Sequence, residues 1–188
     1  EKRIGNTFLF AVDASGSMGA RERMRAVKGA IFYMLQEAYQ KRDRVGMIAF
    51  RRDKADLLLP ITRSVDLAQK RLAEMPTGGK TPLADGLALS LQTLALLNKR
   101  DSELEPILIV VTDGRANAVH EGEKEPVAAA ISIAEKIAKA KITSVVIDTE
   151  SDFIKLGIAK KLAAAMQANY YTLQRLSKEN IIHIVRNL

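Results

Sequence analysis

The chain contains no cysteine, which excludes disulfides, thiolate metal sites and cysteine nucleophiles. Long hydrophobic runs are also missing, since no apolar stretch reaches the roughly 18–20 residues that a membrane-spanning helix needs. The first apolar run, residues 7–12, is short and ends in Asp13, which is not typical of a signal peptide. The lack of cysteine fits a reducing compartment.

Aromatic residues are scarce, at 5% of the chain, and tryptophan is absent. The 29 basic residues outnumber the 22 acidic ones and give a net charge of +7, but they are spread along the sequence and are not interleaved with aromatic side chains. This pattern argues against nucleic-acid binding. The positive charge favours acidic partners or surfaces instead.

The length and the apolar content favour a single α/β domain over residues 1–188, because 47% of the residues are hydrophobic and can fill a core. Short apolar runs alternate with longer amphipathic runs, which is typical of a mostly parallel sheet with helices on both faces. Because the chain begins at Glu1 and not at Met, we expect it to be a piece of a longer protein or a processed one.

This alternation predicts six strands and six helices. The strands are expected at 7–12, 45–50, 55–59, 106–111, 142–147 and 169–173, and the helices near 22–39, 65–74, 82–97, 126–139, 156–166 and 177–186. The second and third strands are too close in sequence for a crossover, so the third is predicted as an antiparallel edge strand. In the doubly wound order 3-2-1-4-5-6, the first and fourth strands are neighbours, and ligands bind at their carboxyl ends.

Oxygen-bearing side chains follow both of those neighbouring strands. Asp13, Ser15 and Ser17 come after the first strand, and Asp113 comes after the fourth. Thr81 lies at a loop-to-helix junction, after a glycine pair and before a proline. Two carboxylates and three hydroxyls are hard donors that suit Mg²⁺, with Mn²⁺ and Ca²⁺ as alternatives. An octahedral Mg²⁺ held in this way keeps a position open for an Asp or Glu of a partner protein.

These five residues resemble the metal-ion-dependent adhesion site of von Willebrand factor A (integrin I-like) domains. All five positions of that motif are matched, and the resemblance spans essentially the whole chain. It implies a Rossmann-like fold in which the serines and the threonine touch the metal directly and the aspartates often act through water. The function that it implies is metal-bridged binding of a protein partner, with no catalytic residues in the domain itself.

A closer resemblance is to the carboxy-terminal domain of the D subunit of magnesium chelatase. The matching segments lie at 13–18, 23–24, 28–30, 42–43, 58–60, 62–64, 78–79, 81–84 and 112–117. This resemblance implies a domain that couples an ATPase subunit to Mg²⁺ insertion into protoporphyrin IX in chlorophyll biosynthesis. The partner would be the ATPase or the porphyrin-binding subunit, in the bacterial cytoplasm or the plastid stroma. A cobalt-chelatase-like complex linked to another ATPase is the alternative.

Each part of the motif also has a simpler interpretation. Asp13 and Ser15 can cap the helix that follows, Thr81 can be a helix N-cap, and Asp113 can open a turn. Their joint occurrence at neighbouring strand ends favours the metal site. A metal-dependent hydrolase is a second hypothesis, although no general base stands at motif spacing.

Two basic residues beside the motif are candidates for partner binding. Lys80 stands where the chelatase pattern has a third glycine, and the preceding glycines make the segment similar to a P-loop. A P-loop needs glycine at position 74, which is Glu74 here, so nucleotide binding is not predicted. Arg115 follows Asp113 by two residues and can either steer an acidic ligand or pair with a neighbouring carboxylate.

Overall fold

The computed structural model describes residues 5–16, 20–116, 125–150 and 156–187. The described strands are β1 Thr7–Asp13, β2 Arg44–Arg51, β3 Lys54–Thr62, β4 Ile107–Thr112, β5 Thr143–Asp148 and β6 Asn169–Thr172. The described helices are α1 Ala20–Lys41, α2 Val65–Glu74, α3 Leu83–Arg100, α4 Pro126–Lys139, α5 Ile158–Met166 and α6 Lys178–Asn187, with a short 3₁₀ helix at Leu173–Arg175.

The strands form one sheet in the order β3-β2-β1-β4-β5-β6, in which only β3 runs antiparallel to its neighbour. The predicted fold class, strand order and antiparallel edge are therefore confirmed. Strand β3 continues to Thr62, three residues beyond its predicted end, and it contains Pro60. An edge strand tolerates proline because one side of its backbone has no strand to pair with.

The central strands are apolar almost throughout because helices cover both faces of the sheet. Successive residues of β1 point to opposite faces, so Phe8 and Phe10 pack in the core beneath α1, α2 and α6. Leu9 and Ala11 pack in the second core beneath α3, α4 and α5. In the described part of the chain, no helix is both long enough and apolar enough to cross a membrane.

Parallel pairing places the carboxyl ends of β1 and β4 side by side. Residues Phe8 to Val12 of β1 are in parallel register with residues Ile107 to Val111 of β4. The crossover from β1 leads to one side of the sheet, and the strands from β4 onward extend to the other side. The crevice where ligands bind in such folds therefore opens directly above Asp13 and Asp113.

Candidate functional site

Asp13 is the last residue of β1, and both of its carboxylate oxygens accept hydrogen bonds. Oδ1 accepts from the backbone N–H of Ser15 at 3.0 Å and also from the Ser15 hydroxyl. Oδ2 accepts from the hydroxyl of Thr112, the last residue of β4, at 3.0 Å. The carboxylate is thus fixed in one orientation by both neighbouring strand ends, and the Ser15 hydroxyl is oriented with it.

Thr81 extends this network from a third segment of the chain. Its side chain is buried, and its hydroxyl donates to the Ser15 oxygen at 2.7 Å. Helix α3 begins at Leu83 and has Pro82 at its N-cap, with no side-chain cap. The N-cap interpretation of Thr81 is therefore wrong, and its hydroxyl faces the predicted site instead.

The loop before Thr81 is attached to the end of β1 by backbone hydrogen bonds. The N–H of Gly78 donates to the carbonyl of Ala14 at 2.8 Å, and the N–H of Gly16 donates to the carbonyl of Gly79 at 3.3 Å. Both loop glycines have positive φ, of 109° and 88°, which side-chain-bearing residues rarely adopt. The glycine pair thus lets this loop bring Thr81 against Ser15.

Asp113 follows β4 and is held on its two sides by different groups. Oδ1 accepts from the backbone N–H of Arg115 at 2.8 Å, and Oδ2 lies 3.3 Å from Nη1 of Arg23 on α1. Gly114 has a φ of 79°, and its N–H donates to the Thr112 hydroxyl at 3.0 Å. The turn after β4 is therefore tied to the same threonine that orients Asp13.

A cavity of about 30 Å³ lies between these side chains. A space of this size holds about two water molecules. Its lining combines the two strand ends with the start of α1 and residues after β5: Asp13, Ser15, Gly16, Arg23, Met24, Val27, Asp113 and Thr149.

Burial makes both carboxyl groups harder to ionise. Burial raises the pKa of Asp13 to about 6, and the charge of Asp113 adds to the rise, against the hydrogen bonds from Ser15 and Thr112. Burial also raises the pKa of Asp113, with a smaller contribution from Asp148, while Arg115 and Arg23 oppose the rise. A cation placed between these groups would favour both ionised forms.

The predicted site residues come together where the structure describes them. Asp13, Ser15, Thr81 and Asp113 surround or adjoin one cavity, whereas Ser17 lies outside the described residues. Among the described residues, no three His, Cys, Asp or Glu side chains form a group that could hold a metal ion. The oxygen atoms that meet at this site belong to both hydroxyls and carboxylates.

The two candidate partner-binding residues have different surroundings. Lys80 is exposed. The Nε of Arg115 lies 3.7 Å from Oε2 of Glu150, whose side chain is only 2% exposed. Pairing of Arg115 with a neighbouring carboxylate, one of its two predicted roles, is therefore observed.

Sequence analysis missed the contributions of Arg23, Thr112 and Glu150. One signal was available, because a third strand, β5, also ends in an aspartate, Asp148. That carboxylate accepts from the backbone N–H of Glu150 at 2.8 Å and from the Tyr170 hydroxyl at 2.5 Å. Burial and the bond to Asp148 raise the pKa of Tyr170, so the tyrosine stays a donor. Asp148 thus supports the turn that carries Glu150.

The fold and the site define an α/β domain with a ligand crevice at the carboxyl ends of two parallel strands, in which hydroxyls and carboxylates converge. The family model for the von Willebrand factor type A domain matches residues 8–116. The chain belongs to this family.

The chain is similar in sequence to an uncharacterized protein and to magnesium-chelatase subunits. It is 46% identical to an uncharacterized protein of Methanocaldococcus jannaschii, over 91% of this chain and 98% of that protein. It is 35% identical to the magnesium-chelatase 67 kDa subunit of Heliobacterium mobile, over 99% of this chain but only 28% of that subunit. The crystal structure of the SpRpn10 VWA domain superposes with a TM-score of 0.65 at 14% identity, over 97% of this chain and 94% of that domain. This last likeness concerns the fold alone.

Proposed function

We propose that this domain binds a divalent cation, first of all Mg²⁺, and uses it to bind an acidic side chain of a partner protein. Asp13, Ser15, Ser17, Thr81 and Asp113 would hold the ion. The observation that carries the proposal is the chain of hydroxyl donations from Thr81 to Ser15 to Asp13, which links two loops at the crevice between β1 and β4.

The chemistry of the described donors fits such an ion. Each hydroxyl of the network directs its proton toward an oxygen of the next residue, so its lone pairs can face a cation. Two carboxylates and neutral hydroxyls suit a hard ion such as Mg²⁺, and because only two of these ligands are anionic the ion would stay electron-poor. When bound, the ion would act as a Lewis acid that accepts a carboxylate oxygen from the partner.

The partner that we propose belongs to a chelatase-type complex. The support comes from relatives that carry the name magnesium-chelatase subunit, and the chain spans less than a third of their length. In such a complex the domain would attach to an ATPase or porphyrin-binding subunit and couple ATP hydrolysis to metal insertion into protoporphyrin IX. The ion of the site would be distinct from the ion that is inserted. A cobalt-chelatase-like complex would use the same attachment.

Replacing Thr81 with valine tests the site with little change in shape. We expect Thr81→Val to lower the Mg²⁺ affinity of the domain about tenfold or more, because it removes one hydroxyl from the donor set. Isothermal titration with Mg²⁺, supported by the Mg²⁺-dependent rise of the melting temperature, measures the loss.

The matched control is Thr93→Val, which removes a hydroxyl from α3 that donates to the carbonyl of Leu89, away from the site. This variant is expected to bind Mg²⁺ as the original chain does. If both variants bind Mg²⁺ equally well, or if neither they nor the original chain bind it, the proposed site is refuted.

Arg23 opposes a cation at this site because its guanidinium lies beside Asp113. We expect Arg23→Gln to raise the Mg²⁺ affinity about threefold to tenfold and to lower the stability of the metal-free domain slightly, since the Asp113 carboxylate loses its counter-charge. The same titration at low ionic strength measures the change. Arg25→Gln, an exposed position of the same helix with the same change in charge, is the control. Equal affinities for the two variants would contradict the prediction.

A further inference from the structure

The tip of the β2–β3 hairpin is attached to the loop that carries Thr81. The backbone N–H of Arg52 donates to the carbonyl of Lys80 at 2.8 Å, and Nη1 of Arg51 donates to the carbonyl of Thr77 at 3.0 Å. Arg51, Arg52 and Lys80, which we name the basic rim, thus lie along one edge of the candidate site. The only acidic residue of the hairpin turn itself is Asp53.

Arg52 occupies its turn position at a conformational cost. Its φ is 60°, in the left-handed region that glycine, asparagine and aspartate adopt more easily. Its side chain lies against Gly79, where an added Cβ would come within 2.7 Å of the Arg52 Cγ. The contact with Gly79 therefore holds Arg52 beside the loop that carries Thr81.

The usual structural roles of surface cations do not account for the side chains of Arg52 and Lys80, the two exposed residues of the basic rim. Lys41, Arg100 and Lys139 end helices, where a positive charge offsets the helix dipole. The rim residues instead lie on a hairpin and a loop. Among the described residues, Arg52 and Lys80 are exposed and neither forms an ion pair, whereas Lys54 of the same hairpin lies 3.8 Å from Asp56.

We infer that the basic rim binds further acidic side chains of the same partner segment, so that the domain selects an acidic peptide over an isolated carboxylate. This inference rests on the proposed function, because it takes the metal-bound carboxylate as the anchor. Lys80 precedes Thr81 directly, and Gly79 contacts Arg52 on one side and Gly16 on the other. An extended peptide advances about 6.6 Å for every two residues. A peptide anchored at the ion therefore passes over the rim within a few residues.

The test compares two labelled synthetic peptides, hexaglutamate and a serine hexapeptide with one glutamate, by fluorescence anisotropy with Mg²⁺ and with EDTA. We expect Mg²⁺-dependent binding of both peptides, with hexaglutamate about five to twenty times tighter at low salt. The double variant Arg52→Gln/Lys80→Gln should lose this preference and keep the binding of the single-glutamate peptide. The matched control Lys136→Gln/Lys139→Gln on α4 makes the same change in net charge and should keep the preference.

The outcomes separate the two proposals. An unchanged preference in the rim variant, with Mg²⁺-dependent binding intact, overturns the inference and leaves the proposed function in place. Loss of the preference in both double variants also overturns it, because the effect would then come from net charge alone. Hexaglutamate binding that needs the rim but ignores EDTA supports an acidic-peptide site and refutes the metal anchor. No measurable binding of hexaglutamate to the original chain overturns the inference outright.

Discussion

Asp13→Asn is expected to stabilise the metal-free domain at pH 8 by about 1–3 kcal/mol, while it abolishes the response to Mg²⁺. Burial raises the pKa of Asp13 from 3.8 to about 6. Above pH 6 the Asp13 carboxylate is therefore ionised in the folded domain, where it is less stable than in the unfolded chain. Two pKa units correspond to roughly 3 kcal/mol, which sets the upper limit. Asparagine keeps the shape of the side chain and removes the charge. Its amide nitrogen cannot accept the hydrogen bond that Oδ2 receives from Thr112, and the loss of this bond keeps the expected gain below the upper limit.

The sign of the pH dependence follows from the raised pKa. Asp13 contributes stability below about pH 4, and this contribution is lost as the pH rises through the folded-state pKa of about 6. The difference between Asp13→Asn and the original chain should therefore be near zero at pH 4 and largest above pH 6. Urea unfolding of both proteins in EDTA at several pH values measures it. A variant less stable than the original chain at pH 8 would disprove this account.

Mg²⁺ should reverse the order of stability at pH 8. A divalent ion requires ionised carboxylates, so the original chain is expected to gain stability with Mg²⁺ above pH 6 and to gain little at pH 4. Asp13→Asn should gain nothing at either pH. Together, these two results would indicate that the metal-free domain loses stability because its ionised Asp13 carboxylate is already positioned to bind a cation.

Gly114→Ala is expected to destabilise the domain by about 2–4 kcal/mol. The φ of 79° is unfavourable for alanine, and an added Cβ would lie 2.5 Å from the backbone nitrogen of Ala159 at the start of α5. Since this contact is with backbone, it cannot be relieved by a side-chain rotation. Thermal and urea unfolding measure the loss, and the Mg²⁺ affinity should fall as well because Asp113 is the preceding residue.

Gly78→Ala separates the two causes. Gly78 also has a positive φ, of 109°, but an added Cβ there would meet no atom within 4 Å. We expect it to cost about 1 kcal/mol, from backbone strain alone. Equal losses for the two variants would mean that the contact between the Asp113 turn and α5 does not limit stability.

Local patterns in the sequence were sufficient to predict the layout of the sheet. The runs at 45–50 and 55–59 are apolar and separated by a four-residue connection, which permits only a hairpin. The nearly continuous apolar runs of β1 and β4 require cover on both faces, and the positions of the helices supply it. The ends of the elements were predicted less well: α3 continues to Arg100 and β3 to Thr62. Strand pairing and helix packing extend these elements past the residues with the strongest local pattern.

The motif residues could be predicted because they follow the strand ends at short, fixed spacing. Asp13 and Ser15 belong to one turn, and Asp113 follows a recognisable strand, so a local pattern identifies them. Their role as metal ligands stays a prediction. Thr81 was identified by its glycine pair, but its contact with Ser15 depends on how that loop meets β1.

The sequence by itself determined the fold class, the strand order and the donor types at the crevice, because these follow from apolar periodicity and from residues adjacent in the chain. Only the tertiary structure decided which groups surround those donors. Arg23 reaches Asp113 from a helix 90 residues away, and Thr112 reaches Asp13 across 99 residues. Arg52 meets Lys80 only where the hairpin and the loop pack together. Such contacts depend on the approach of separate elements in space, and no local spacing in the chain records that approach.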